Sequence, residues 1–120
     1  MIIEIEGTKI YDFEIPSGSS IYKKWDPAEI NRVVNELRLS IPQMAEERPH
    51  DALFLVWQLW ASSPPSHHAT LGNIVSEIVK SGLVPLTAMS GKEVGSTKRL
   101  YFLNSQEELT RTTHINKEPI

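Results

Sequence analysis

The sequence contains no cysteine, and this absence removes several classes of chemistry at once. Disulfide bonds, thiolate catalysis and cysteine-ligated zinc are excluded, and a reducing cytosol is compatible with the composition. The six glycines are scattered singly, so no glycine-rich loop of the phosphate-binding kind is present. No apolar run approaches the roughly 20 residues needed to cross a bilayer, and the acidic N-terminal stretch is unlike a secretory signal. We therefore expect a soluble, cytoplasmic protein with no membrane association.

Basic residues are fewer than acidic ones, 12 against 15, which gives a formal net charge of −3. This balance argues against a protein that coats nucleic acid through charge alone. Residues 63–104 form the only section with net positive charge, because two acids, Glu77 and Glu93, are outnumbered by four bases: Lys80, Lys92, Lys98 and Arg99. A chain of 120 residues fits one domain. We expect that domain to span 1–111 and to be followed by a flexible tail, 112–120.

The first part of the chain predicts a hairpin followed by helices. Residues 1–16 alternate between apolar and polar types, which predicts a β-hairpin with one acidic face. The run Asp26-Pro27-Ala28-Glu29 has an acidic N-cap, a proline at the first helical position and a glutamate at N3, so a helix begins there and ends near Leu39. Similar spacing in Ser40-Ile41-Pro42-Gln43 predicts a short second helix that ends by Pro49.

The segment 52–61 contains a single polar residue, Gln58. A helix that is apolar on all sides must be covered on all sides. Phe54, Trp57 and Trp60 therefore lie either in a central core helix or in a contact between subunits, and the sequence leaves both interpretations open. The prolines at 64 and 65 end this segment.

Residues 69–103 predict a helix, a stop and a second hairpin in direct succession. The helical pattern has one apolar face, formed by Leu71, Ile74, Val75, Ile78 and Val79. Gly82 follows it, at the position where a residue in the left-handed conformation ends many helices. Residues 83–89 and 98–103 predict two strands around a glycine-bearing loop, 90–97. The whole chain therefore predicts an α+β fold with three to four helices within 26–82, an added N-terminal hairpin and a C-terminal hairpin, 83–104.

The run Thr70-Leu71-Gly72-Asn73-Ile74-Val75-Ser76-Glu77-Ile78-Val79-Lys80-Ser81-Gly82-Leu83-Val84, followed by Lys98-Arg99-Leu100-Tyr101-Phe102-Leu103-Asn104, resembles part of a winged-helix domain of the MarR and PadR groups. The resemblance is one of residue types and covers roughly 51–104. It implies that helix 67–81 enters the major groove of double-stranded DNA and that the hairpin 83–103 is a wing that reaches the flanking backbone or minor groove.

Under this resemblance, the outward stripe of the helix consists of His67, Thr70, Asn73, Glu77 and Lys80. Asparagine can pair bidentately with adenine, threonine can contact a base edge, and glutamate can accept a hydrogen bond from cytosine. Lys98 and Arg99, with Lys92 in the loop, would contact phosphates. The alternative is that this stripe is only the polar face that any amphipathic helix has.

Two other chemistries are weighed and set aside. The adjacent His67 and His68 would point about 100° apart on a helix, whereas metal-binding pairs usually lie four residues apart. Ser66, His67 and Asp51 have the residue types of a catalytic triad, but no nucleophile-elbow motif surrounds the serine. We therefore expect no catalytic residue, no metal site and no cofactor, and the chain is not expected to be an enzyme.

Two functions remain open at this point. The first is a DNA-binding transcriptional regulator, which forms a homodimer through the tryptophan-rich segment or the N-terminal hairpin. The second is a winged-helix-like adaptor or inhibitor that binds a protein partner and no nucleic acid. The acidic charge and the low number of bases on the helix favour the second function, whereas the bases of the hairpin favour the first.

Overall fold

Two small antiparallel sheets and a set of helices make up the fold, which is a mixed α+β one. A computed structural model describes residues 2–45, 48–89 and 99–104. The strands within these ranges are β1 (Ile2–Ile5), β2 (Thr8–Tyr11), β3 (His50–Asp51), β4 (Leu86–Ala88) and β5 (Leu100–Leu103). The α-helices are α1 (Ile21–Lys24), α2 (Pro27–Ser40), α3 (Ala52–Leu55), α4 (Trp57–Ser62) and α5 (Pro65–Lys80). The described residues thus contain five α-helices, three of them very short, where three to four were predicted.

The N-terminal hairpin forms as predicted but is shorter than the predicted span of 1–16. β1 and β2 pair through a tight turn at Glu6 and Gly7, whose φ angles are 51° and 85°. Two positive φ angles match the twist of antiparallel strands, and glycine adopts such an angle without steric cost. The pairing ends at Tyr11, because Phe13 and Ile15 leave the sheet to become buried in the core.

The central helix α2 begins as its sequence predicts. The Asp26 side chain accepts a hydrogen bond from the backbone N of Ala28 at 3.4 Å, and Pro27 occupies the first turn. The inner face of α2 is formed by Ile30, Val33, Val34 and Leu37. The helix runs through Ser40, so this serine does not cap a new helix: its hydroxyl donates to the carbonyl of Leu37 at 3.5 Å. Only a 3-10 turn, Ile41–Gln43, follows.

The apolar segment 52–61 is not the single helix that we predicted, because the backbone at Val56 is non-helical (φ −132°, ψ 47°). Because of this break, the first backbone N–H groups of α4 have no carbonyl acceptors in a preceding helical turn. Glu36 of α2 supplies the missing acceptor, since its Oε1 accepts from the backbone N of Gln58 at 3.1 Å and of Leu59 at 3.4 Å. A side chain from a neighbouring helix thus takes the place of a local cap.

The break at Val56 also separates buried residues from exposed ones. Leu55 and Val56 are completely buried, whereas 60% of Trp57 is exposed to solvent. Phe54 and Trp60 are partly buried and pack against the core from its edge. The prediction that Trp57 lies in the core is therefore wrong, because the chain turns outward once Leu55 and Val56 have filled the available space. Its alternative, a contact between subunits, stays a prediction.

The long helix α5 begins at Pro65, four residues earlier than the pattern predicted. Proline is well tolerated in the first turn of a helix, because the N–H it lacks would have no acceptor there. The prolines that end the preceding segment therefore also start this helix. The predicted stop is confirmed, since Gly82 has a φ of 79° just after the helix.

A three-stranded antiparallel sheet covers one side of α5, with the strand order β3, β5, β4. The predicted C-terminal hairpin pairs as expected, with Leu86 opposite Leu103, although its strands are shorter. The third strand, β3, was not predicted, because two residues are too few to show an alternating pattern; His50 lies opposite Tyr101. The loop 90–97 and the tail 112–120 lie outside the described residues.

The core is formed by the inner faces of α2 and α5 and by the residues at the break between α3 and α4. Its completely buried residues are Ile30, Val33, Leu37, Ile41, Leu55, Val56, Ile74, Val75 and Ile78. Within the described ranges, none of the helices combines the length and apolar character required to cross a membrane.

His50 is a buried polar residue at the start of β3. Its Nε2 accepts a hydrogen bond from the backbone N of Ala45 at 3.1 Å, and its ring stacks on Phe54 with 4.2 Å between ring centroids. Burial lowers the pKa of His50, and the charge of Arg48 lowers it further, while Asp51 opposes this shift. An accepting Nε2 carries no proton, so the folded protein favours the neutral ring.

We expect Trp57→Ala to change the free energy of unfolding by no more than about 1 kcal/mol, since most of this side chain is in solvent. The matched core variant, Leu55→Ala, should cost about 2 to 5 kcal/mol, because it leaves a cavity in a completely buried site. Urea unfolding of both variants measures the difference. An equal loss in the two variants would place Trp57 in the core and contradict the break at Val56.

His50 gives stability a defined pH dependence. Its pKa in the folded state lies below the unfolded value of 6.5, so its contribution is complete above that pH and is lost as the pH falls through the folded pKa. We expect His50→Gln, whose amide oxygen can still accept from Ala45, to lose less stability than the parent when the pH is lowered from about 7.5 to about 5. Urea midpoints measured at several pH values test this, and parallel curves for the two proteins would contradict it.

Candidate functional site

The outer face of α5 carries the residues predicted to contact a ligand, and the structure divides them into two groups. Asn73 and Lys80 are exposed, whereas His67, Thr70 and Glu77 are partly buried. Asn73 is exposed because it lies on the opposite side of α5 from the buried stripe. Of the five residues predicted to form the outward stripe, two are thus exposed and three are partly buried.

Polar side-chain contacts connect the partly buried side of α5 to the preceding helices. The Nε2 of His67 contacts the Oε2 of Glu29 on α2, and the Glu77 carboxylate lies 3.4 Å from the Nζ of Lys24 on α1. These contacts give His67 and Glu77 structural roles. The Lys24 charge also reduces the repulsion that an isolated glutamate on this face would exert on a phosphate.

His68, the neighbour of His67, ties α5 to α4. Its ring stacks on Trp60 with 4.1 Å between centroids and 19° between planes, and its Nε2 donates to the carbonyl oxygen of Trp60 at 2.8 Å. The two adjacent histidines thus hold different helices. Within the described ranges, no three metal-binding side chains cluster.

Two of the three residues that have the types of a catalytic triad, His67 and Asp51, contact separate partners. His67 contacts Glu29, and Asp51 accepts a hydrogen bond from the backbone N of Phe54 at 3.1 Å as the N-cap of α3. Each of these side chains therefore holds an element of the fold in place.

Arg99, directly before β5, connects the sheet to the exposed face of α5. Its Nη1 donates to the Oδ1 of Asn73 at 3.0 Å and, at 3.4 Å, to the carbonyl oxygen of Gly72. Two residues predicted as ligand contacts from distant parts of the sequence are thus brought together. The other two basic contacts predicted in the hairpin, Lys92 and Lys98, lie outside the described residues.

Beside this contact lies an open cavity of about 430 Å³, which we call the α5–sheet cavity. Ala52 and Leu53 of α3, Trp60 of α4, and Gly72 of α5 contribute to its wall, as do Asp51, Ala69, Asn73, Arg99 and Tyr101. Sequence analysis missed this cavity, since its walls come from five elements: β3, α3, α4, α5 and β5. One signal was present: Gly72 interrupts a good helical sequence, and a Cβ added there would meet nothing within 4 Å.

Tyr101 is the buried wall of the cavity, with 1% of its surface exposed. Burial raises its pKa, while the nearby Ser76 and Arg99 oppose this shift. Ser76 and Arg99 lie within hydrogen-bonding reach of the Tyr101 hydroxyl, although neither meets strict hydrogen-bond geometry.

The three aromatic residues predicted to act together face two different regions of the surface. Trp60 faces the α5–sheet cavity, whereas Phe54 and Trp57 line a shallow groove of about 90 Å³ near Leu39 of α2. Leu39 and Trp57 are both exposed, so this groove has an apolar rim. We call Leu39, Phe54 and Trp57 the Trp57 surface.

Comparisons of the chain with protein-family models, with curated proteins and with solved structures find no match.

Proposed function

We propose that this chain is a small winged-helix-like protein that binds double-stranded DNA and regulates transcription. In this proposal α5 enters the major groove, and the hairpin of β4 and β5 is the wing. The order α2, β3, α3 and α4, α5, β4, β5 supports it, as does the central position of β5 in the three-stranded sheet. The two residues between α4 and α5, Ser63 and Pro64, provide the short turn that a helix-turn-helix requires.

The observation that carries the proposal is the contact between Arg99 and Asn73. It places a guanidinium group and a carboxamide side by side on the exposed face of the longest described helix. Arginine suits a phosphate, and asparagine suits an adenine edge in the major groove. Lys80 adds a second exposed cation to the same helix.

The structure also revises which residues we assign to the interface. Asn73, Lys80 and Arg99 remain as proposed DNA contacts. His67 and Glu77 are assigned to the packing of α5 against α2 and α1, because His67 contacts Glu29 and Glu77 forms a salt bridge with Lys24.

Binding to a pool of random-sequence duplexes, followed by fluorescence anisotropy at about 50 mM salt, tests the proposal. We expect the parent to bind and Arg99→Ala to bind more weakly on every sequence. The slope of log K against log salt should fall by about 1, since one phosphate contact is lost. Asn73→Ala should instead cost about 1 to 3 kcal/mol on the preferred sequence and little on others.

The matched control is Lys9→Ala, which removes one exposed cation from the separate N-terminal sheet. It should bind duplex as the parent does. Absence of any duplex binding by the parent at low salt would show that the proposal is wrong, as would equal effects of Arg99→Ala and Lys9→Ala.

A second candidate is a protein-binding role, and the Trp57 surface favours it. An exposed tryptophan beside an exposed leucine is typical of the centre of a protein contact, because aromatic anchors contribute much of the binding energy there. The contact could join two copies of the chain in a homodimer or hold a different protein in an adaptor.

Sedimentation at micromolar concentration distinguishes these forms. If the Trp57 surface joins two copies, the parent sediments as a dimer and Trp57→Glu as a monomer, while Lys9→Glu stays dimeric. A parent that is monomeric at these concentrations would rule out the homodimer. The same variant pair would then be compared for capture of a partner.

A further inference from the structure

The N-terminal hairpin has an apolar face on the side away from the core. Successive side chains of a strand point to opposite faces, so Ile3, Ile5 and Ile10 share one face while Tyr11 lies on the other. Tyr11 packs against the core, which turns the three isoleucines outward. Ile5 is 50% exposed, and Ile3 and Ile10, which lie opposite each other, are only partly buried. We call these three residues the isoleucine face.

The strand β1 also has a free edge next to this face. With a two-residue turn at Glu6 and Gly7, the pairs that exchange backbone hydrogen bonds are Ile5 with Thr8 and Ile3 with Ile10. The N–H and C=O groups of Glu4 therefore point away from β2. In the three described ranges of the chain, β1 pairs with β2 alone. Such an edge can be extended by a strand from another chain.

The charge of the hairpin indicates which strand it can accept. Residues 1–16 carry a net charge of −3, because four acids outnumber one base: Glu4, Glu6, Asp12 and Glu14 against Lys9. Lys9 lies opposite Glu4, but among the described residues these two form no ion pair. The free edge is thus lined by acids and attracts a basic segment. A second copy of the hairpin has the same charge, so pairing of two β1 strands would bring like charges together.

We propose that β1 binds, by strand addition, an extended segment of a partner protein in which basic residues alternate with apolar ones. In an antiparallel pairing, the partner residue opposite Glu4 exchanges two backbone hydrogen bonds with it and places a lysine or arginine beside its carboxylate. The next residue on each side is apolar and lies beside the isoleucine face. The proposal goes beyond DNA binding and does not require it, since it uses no residue of α5 or of the three-stranded sheet.

The edge is already formed in the free protein, which favours binding. The tight turn at Glu6 and Gly7 fixes the register of the hairpin. Tyr11 holds β2 against the core, and its ring centroid lies 5.9 Å from that of the buried Phe13. Binding therefore requires ordering of the partner segment but not of β1, which lowers its entropic cost.

Three synthetic peptides with blocked ends test the proposal. The first has seven residues in which lysine and valine alternate, with lysine at both ends. The second has glutamate in place of lysine, and the third has the residues of the first with its three valines placed in succession. We expect the first peptide to slow hydrogen exchange of the Glu4 amide in NMR spectra, because this N–H gains an acceptor. It should bind at least about tenfold more tightly than the glutamate peptide and severalfold more tightly than the rearranged one.

Variants separate the charge of the edge from the charge of the whole protein. Glu4→Gln should bind the alternating lysine peptide severalfold more weakly, because it removes the charge at the centre of the edge. The matched control is Asp26→Ser, which removes an exposed acid outside the hairpin and keeps a residue that can cap α2. This control should bind the peptide as the parent does.

Several outcomes would show that the proposal is wrong. These are an unchanged Glu4 amide in the presence of the lysine peptide, equal binding of that peptide and either of the other two, and equal weakening by Glu4→Gln and Asp26→Ser. A Glu4 amide that is protected before any peptide is added, in a parent that sediments as a dimer, would show that a second copy occupies the edge instead.

Discussion

The break at Val56 is the constraint on which the rest of the structure depends. It lets Leu55 and Val56 fill the core in succession and turns Trp57 into solvent. Glu36 of α2 accepts hydrogen bonds from the exposed backbone N–H groups at the start of α4. A contact between α2 and α4 therefore stabilises the break. A straight helix over the same residues would need apolar cover on every side, which a domain of this size does not offer.

The direction of α4 after the break determines which face of α5 is exposed. Trp60 stacks on His68, and His67 contacts Glu29, so the first turns of α5 are fixed between α4 and α2. These contacts use the side of α5 next to its buried stripe. Asn73 is left as the polar group at the centre of the outer face, where Arg99 joins it from the sheet.

The proposed DNA contact follows from this arrangement. Arg99 reaches the outer face of α5 and holds Asn73 there. A guanidinium group has enough donors to hold Asn73 while it receives a phosphate.

The sequence by itself determined those elements that depend only on interactions between residues close together in the chain. The cap at Asp26, the apolar stripe of α5, the glycine at 82 and the pairing of the two hairpins all follow from residue types at short spacing. Only the tertiary structure decided the break at Val56, because Glu36 lies some twenty residues before the N–H groups it stabilises. The tertiary structure also decided β3, which is too short to form a pattern. It decided which residues of α5 are exposed, because side-chain contacts with α1 and α2 partly bury His67 and Glu77. The α5–sheet cavity also depends on tertiary structure, because five elements must meet before its walls exist.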